Sequence, residues 1–314
     1  MAPPPAACLE FKPTDKLGLI QSGAVAAATI TGLLLSRSGG MVWLTGQILL
    51  AIALVQWFVV LHECGHETLF RRPFWNVCVG HIAAFFSGIP FVSWKRVHGL
   101  HHRWTGWQDL DPTTATLVPR PLSPVEKVII RMSWKYWIPL FSVMYRVNNY
   151  WNLPRLRKLF NNDRRTREIA LNAAGQALLY GIIISIVGLR SSLHLAGLAL
   201  LLSLVIEDPL ILSQHTHIPQ NNSRNQHARS FAAMEQERFT RSLRFPAWVS
   251  KFLLFNFDAH ELHHMYPFVP GYHLRRIPYT GMNEIDWWRW LAAAKRMRGD
   301  EFLFRNQNDT GIRI

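Results

Sequence analysis

"MVWLTGQILLAIALVQWFVVLHECGHE", residues 41–67, carries no charge over its first twenty-one positions and then sets two histidines and two glutamates into the last six. A helix crossing the hydrocarbon core of a bilayer needs about 20 consecutive apolar residues. Met41–Leu61 therefore reads as a transmembrane helix that delivers His62, Glu63 and His66 to the membrane surface. The same pattern recurs at Leu17–Leu35, at Ile169–Leu189 and at Leu193–Ser213, the last interrupted only by Glu207, Asp208 and Pro209. Four such runs in 314 residues leave too little chain to bury them in a water-soluble core. The sequence predicts an all-α integral membrane protein, with transmembrane helices at 17–35, 41–61, 169–189 and 193–213 paired in two hairpins and a cytoplasmic helical cap. An N-terminal arm would occupy residues 1–16, the membrane domain 17–280 and a C-terminal cytoplasmic tail 281–314. The first run lacks a small-residue cleavage site and is read as a span, not as a removed signal peptide.

The formal net charge of +14 would suggest nucleic acid in a soluble protein, but its distribution argues otherwise. Sixteen Lys or Arg fall within residues 71–167 and fourteen within 214–314, whereas the turns 36–40 and 190–192 hold one Arg each. Retention of positive charge on the cytoplasmic side accounts for this asymmetry. It predicts a multi-pass protein with both termini and the histidine-rich segments on the cytoplasmic face, and no nucleic-acid partner. Cys8, Cys64 and Cys78 have no paired spacing, which excludes a disulfide framework and a thiolate zinc site. Val77–Val92, interrupted by Gly80, Gly88 and Pro90, is predicted to be re-entrant or covered by the cap. The aromatic and basic stretch 125–151 reads as an interfacial helix.

HECGHE admits three readings on its own. His62, Glu63 and His66 form the His-Glu-x-x-His pattern of zinc proteases. Glu63-x-x-His66 is a half-site of carboxylate di-iron bundles. The two histidines alone, four residues apart, share one helix face. Two further stretches bear on the choice: "HGLHH", residues 98–102, and "HELHH", residues 260–264, each with histidines at i, i+3 and i+4. "QHTH", residues 214–217, follows the last apolar run, so the predicted topology brings all four groups to one side. Catalytic zinc takes three protein ligands. Eight or nine clustered imidazoles are too many for that and suit two metals, whose identity imidazole alone leaves open.

In that order around two hydrophobic hairpins, HECGH, HGLHH, QHTH and HELHH resemble the histidine boxes of membrane-bound fatty acid desaturases, closest to the acyl-lipid methyl-end members. The resemblance covers about residues 40–275. It implies an O2-dependent di-iron enzyme that removes two hydrogens from an acyl chain, with His62, His66, His98, His101, His102, His215, His260, His263 and His264 as iron ligands. His217 is the poorer candidate in its box. After the third box "MYPFVPGYHL" departs from the methyl-end pattern, which leaves the position of the double bond open. Glu63, Glu67, Asp109, Asp111, Asp258 and Glu261 are candidates to accept hydrogen bonds from the ligands, as are Glu207 and Asp208, where charge inside an apolar run points to function. His81, His194, His227 and His273 are expected to be dispensable.

The expected partners are a lipid acyl substrate and a separate electron donor, such as a ferredoxin or a b-type cytochrome, met by a basic face. An acyl hydroxylase of the same superfamily is the nearest alternative. An intramembrane zinc protease on His62, Glu63 and His66 leaves two clusters unexplained. A metal transporter would spread its histidines through the bilayer depth, not gather them at span ends.

Overall fold

Long apolar runs and short polar breaks set the element order in the computed structural model, which describes residues 3–225 and 227–314. In chain order the helices are α1 (Asp15–Leu35), α2 (Gly40–His66), α3 (Pro73–Ser87), α4 (Phe91–Trp104), α5 (Pro124–Lys135), α6 (Leu140–Arg146), α7 (Leu153–Leu159), α8 (Asp163–Val187), α9 (Leu189–His215), α10 (His260–Met265), α11 (Gly271–Leu274), α12 (Trp287–Arg296), α13 (Gly299–Phe304) and α14 (Gln307–Thr310). The two strands, β1 (Leu243–Arg244) and β2 (Ile285–Asp286), form a minimal parallel pair. Among the described residues four helices, α1, α2, α8 and α9, are long and apolar enough to cross a membrane. The chain divides into two compact units, one of residues 12–96 and 143–207, the other of the stretch up to Phe11 with 97–142 and 208–314.

In the first unit, α1 begins at Thr14, whose hydroxyl accepts the Leu17 N–H at 3.3 Å, and Asp15 adds negative charge to the first turn. α1 and α2 approach through glycines: a Cβ on Gly46 would stand 2.7 Å from Ser36 N and 2.8 Å from Gly32 O. Only small residues permit such contact between helix backbones. α2 is buried almost all round from Leu50 to Cys64, as a helix apolar on every face must be. The polar side chains within it are paired, because an unmatched amide in hydrocarbon costs several kcal/mol. The Gln47 amide donates to Ser36 Oγ and the Leu195 carbonyl, both at 2.8 Å, and accepts the Ala199 N–H at 2.8 Å. These bonds tie α2 to α1 and α9. Trp57 Nε1 donates to Thr29 Oγ1 at 2.8 Å.

α8 is the converse case, presenting Leu171, Leu178, Leu179, Ile182, Ile184 and Ile186 outward. α3 and α4 bend by 95° about a break that contains Gly88, at φ +70°, and Pro90. The apolar stretch 77–92 thus runs from within α3 across the break to the first two residues of α4. Arg146 closes this unit electrostatically: it donates to the Ser87 carbonyl at 3.0 Å and pairs with Glu207. Burying an ion pair is tolerable because each charge has its partner.

In the second unit, α5 starts with a capping box between Ser123 and Glu126 and with Pro124 at its first position. The stretch read as one interfacial helix is broken into α5, α6 and a wide turn at Val147–Trp151, because Trp137 adopts a positive φ of 58° and Pro139 follows it. The inner face of α5 puts Trp134 against Phe302, with ring centroids 4.5 Å apart, in a core that includes Trp290, Leu303 and Ile314. The Lys295 ammonium lies 3.8 Å from the Trp134 ring centre and 3.9 Å from that of Trp137. Arg131 grips Asp300 through two bonds of 2.8 and 2.9 Å. Residues 281–314 are accordingly a packed part of this unit. At the other end of the chain, Cys8 is buried with Leu262, Met265 and Tyr266, and all three cysteines are free thiols.

Candidate metal centre

The histidine spacing places its side chains where the helices end. In the last turns of α4, His98, His101 and His102 share one face, and the helix stops before Gly106, at φ +97°. A Cβ there would meet Phe231 and Phe239 at 2.7 Å, so no other residue fits. α9 ends at His215, and α10 carries His260, His263 and His264. Asp258 braces the approach to α10 by accepting Ser250 Oγ and Arg275 Nη2, each at 2.7 Å.

His101, His215, His260 and His264 converge, with one nitrogen from each within 4.8 Å of the others. The Nε2 separations are 2.9 Å for His215 and His260, 3.1 Å for His260 and His264, and 3.3 Å for His101 and His264. Nitrogens each about 2.0–2.1 Å from a common ion would stand roughly 2.9–3.4 Å apart. The outer nitrogens explain why the inner ones carry lone pairs. Asp111 Oδ2 lies 2.7 Å from His101 Nδ1, the Phe239 carbonyl 3.1 Å from His215 Nδ1, and Gln236 Oε1 2.8 Å from His264 Nδ1. Each acceptor fixes the proton on Nδ1 and leaves Nε2 bare. Burial and the neighbouring imidazoles push His264 well below its usual range, so it is neutral. Burial alone would raise Asp111, but the hydrogen bonds from His101 and the Thr113 N–H hold it below the ordinary carboxylate value. The three bare Nε2 atoms of His101, His215 and His264, gathered with a nitrogen of His260, repel one another unless a cation lies between them. The donor set therefore fits a transition-metal ion with an affinity for imidazole.

His98, His102 and His263 form a second group in this unit, with Nε2 separations of 3.1 Å from His98 to His102 and 3.0 Å from His102 to His263. His62 and His66 belong to the other unit, at the end of α2, with ring centroids 4.9 Å apart. The edge of Trp94 meets both rings. Glu63 Oε1 stands 3.2 Å from His62 Nδ1, and Glu63 Oε2 accepts Thr68 Oγ1 at 2.9 Å.

Of the acidic residues read from sequence as partners of the histidines, Asp111 and Glu63 meet an imidazole. Glu67 pairs with Lys95, Asp109 accepts the Ser223 N–H at 3.0 Å, and Asp258 faces Ser250 and Arg275. Glu261 turns to the N–H groups of Ser242 and Asn283, at 3.2 and 2.8 Å, and its burial raises it to about 7. Glu207 is bound to Arg146, and Asp208 accepts the Ser142 N–H. His217 points to the carbonyls of Arg305 and Ile312, at 2.9 and 3.2 Å. Sequence reasoning missed Gln236, the Phe239 carbonyl and Trp94, which lie outside every histidine box and match no motif.

Comparison with known proteins adds an independent line. Residues 38–282 match the model of the family described as "Fatty acid desaturase". The chain is 26% identical over 248 residues to the sn-1 oleoyl-lipid 12-desaturase of a Picosynechococcus strain, covering 77% of this chain and 69% of that protein. It is 25% identical over 227 residues to the chloroplastic omega-6 fatty acid desaturase of Arabidopsis thaliana, covering 71% of this chain and 49% of that protein. A shorter match, 35% over 54 residues, joins it to the sn-1 acyl-lipid omega-3 desaturase (ferredoxin) of a Nostoc strain, covering 17% of this chain and 15% of the relative.

Proposed function

We infer the reaction from the family: the chain belongs to the fatty acid desaturase family, and its task is to introduce a double bond into the acyl chain of a lipid at the membrane. The observation that carries this reading is the set of four convergent imidazoles, buried at His101, His260 and His264 and partly buried at His215, three of them fixed by outer acceptors with Nε2 toward a common centre. We assign two irons to the nine histidines His62, His66, His98, His101, His102, His215, His260, His263 and His264, with His101, His215, His260 and His264 as the donor set of one of them. Bound iron would supply the activation of O2 and the oxidising power to break two methylene C–H bonds.

The balance is one saturated –CH2–CH2– unit, O2, two electrons and two protons giving one –CH=CH– unit and two waters. The chain's own contribution is to hold imidazole nitrogens bare and oriented, through Asp111, Gln236 and the Phe239 carbonyl, and to surround them with buried side chains that exclude water. The electrons come from a separate donor, and the name of the Nostoc relative favours a ferredoxin. The charge distribution supports placing the site and both termini on the cytoplasmic face, where a basic surface suits an acidic donor. Relatives named for acyl lipids favour a glycerolipid-bound chain as substrate. An acyl hydroxylase would use the same ligands. The protease reading leaves the four-imidazole group without a task, and a transporter would spread its histidines through the bilayer depth.

The test is the fatty acid profile, by gas chromatography with mass spectrometry, of cells expressing the wild type or His263→Ala with a generic electron donor. A new unsaturated chain with the wild type alone is the expected result, and it locates the double bond. Hydroxylated chains without new double bonds would replace desaturation by hydroxylation. A single zinc per folded chain and no lipid product would overturn the di-iron reading.

A further inference from the structure

We propose that Gln236 determines which nitrogen of His264 faces the four-imidazole centre, a positioning role that rests on the metal-centre reading above. The buried side-chain amide touches three groups. Its nitrogen donates to the His102 carbonyl at 2.8 Å and, at longer range, to the Phe231 carbonyl at 3.4 Å. Its oxygen lies 2.8 Å from His264 Nδ1. The two carbonyls can only accept, so the amide nitrogen must face them and the amide cannot be turned over. The oxygen is then committed to His264, where it too can only accept. His264 Nδ1 must carry the ring proton, and Nε2 is left bare toward the Nε2 atoms of His260 and His101, at 3.1 and 3.3 Å.

The logic runs from a backbone carbonyl to a tautomer. His102 lies in the last turn of α4, where carbonyls look beyond the helix for a donor. Gln236 supplies that donor and thereby fixes its own orientation. The turn that carries it, residues 233–239, is itself held. Asn283 Nδ2 donates to the carbonyls of Glu237 and Thr240, each at 3.0 Å, and Tyr279 Oη donates to the Glu237 carboxylate. Met234 packs against the core of Leu262 and Met265. The same turn offers the Phe239 carbonyl to His215. One seven-residue segment with no histidine and no recognisable motif thus supplies the outer acceptor for two of the four convergent ligands.

The test is a Co2+ titration of the metal-free, detergent-solubilised full-length protein, followed by the visible absorption of the bound ion, for the wild type, Gln236→Leu and Gln236→Glu. The wild type should take up two Co2+ per chain. In Gln236→Leu one of the two should bind about 10–100-fold more weakly. In Gln236→Glu the carboxylate still accepts from Nδ1, and affinity should stay within about threefold of wild type. An ionised Glu cannot donate to the His102 carbonyl, so a residue that merely ties α4 to α10 would fail equally in both variants. Equal losses in Glu and Leu, or wild-type affinity in Leu, overturn the proposal. If Gln236→Leu does not fold, Gln236→Glu decides alone, and a loss of tenfold or more overturns it. A folded wild type that takes up no Co2+ overturns the metal-centre reading and this role with it. A loaded wild type beside an indifferent Gln236→Leu overturns the role alone.

Discussion

His101 Nδ1 lies 2.7 Å from Asp111 Oδ2, and both side chains are buried. The other carboxylate oxygen, Oδ1, is occupied by the N–H and the hydroxyl of Thr113, each at 2.9 Å. In Asp111→Asn the amide oxygen stays with the two Thr113 donors, so the amide nitrogen faces His101. His101 is then driven to the opposite tautomer, with a proton on Nε2 pointing into the centre. Metal affinity should fall about 10–100-fold while the fold is retained. Metal per chain by plasma mass spectrometry, beside circular dichroism, tests this; full occupancy in Asp111→Asn would mean the carboxylate does not set the tautomer.

His215 and His217 sit two residues apart, yet the chain uses them differently. His215 Nε2 is 2.9 Å from His260 Nε2, whereas both ring nitrogens of His217 face the carbonyls of the C-terminal segment. His215→Ala should lose lipid product and metal together. His217→Ala should keep both and lose about 1 kcal/mol of stability per hydrogen bond that mattered. Matched product analysis and thermal melts separate the two; metal loss in His217→Ala would mean that His217 belongs among the ligands.

Much of this arrangement was legible in the sequence because helix spacing is rigid. Histidines at i, i+3 and i+4 can only share a face, and uncharged runs of about 20 residues can only be long apolar helices. The convergence of His101, with His260 and His264 from a segment more than 150 residues away, followed from the order of those runs. What escaped was whatever depends on packing between distant segments. Nothing in "AMEQERF" announces that Gln236 reaches His264, because Gln has no spacing rule and its partner is a backbone carbonyl. Glu261 misled for the same reason: adjacency to His260 suggested contact, but its side chain leaves α10 on the side of Ser242 and Gly281. The reading of residues 281–314 as a tail lacked the information that Trp290, Phe302 and Ile314 meet Trp134 in one core.

Asp300 gives this packed segment a pH signature. Hydrogen bonding to Arg131, first of all, and to Arg298 holds its carboxyl well below the usual carboxylate range. An acid with a depressed folded pKa contributes stability that is complete above its unfolded value, about 3.9, and is lost as pH falls toward the folded value. The wild type should therefore weaken below about pH 4 more steeply than Asp300→Asn, which lacks this proton-linked step. Melting temperatures of both proteins between about pH 3 and 7 make the comparison. Parallel curves would show that the pair contributes nothing measurable.

Gly65 tests how the first histidine pair is supported. Within α2 it lies between His62 and His66 and faces Trp94, and a Cβ at this position would stand 2.0 Å from Trp94 Cζ3. The indole has little room to withdraw, being fully buried and set edge-on to both imidazoles, with centroids 5.5 Å from His62 and 6.3 Å from His66. Gly65→Ala should therefore cost about 1–3 kcal/mol through overpacking and displace the two rings from their present angle. A smaller partner ought to relieve the clash, so Gly65→Ala with Trp94→Phe should recover part of both stability and lipid product. Melting temperature and fatty acid profile of the two single variants and the double variant form a cycle in which non-additivity is the expected result. Additive effects would mean that Trp94 yields freely and does not support His62 and His66.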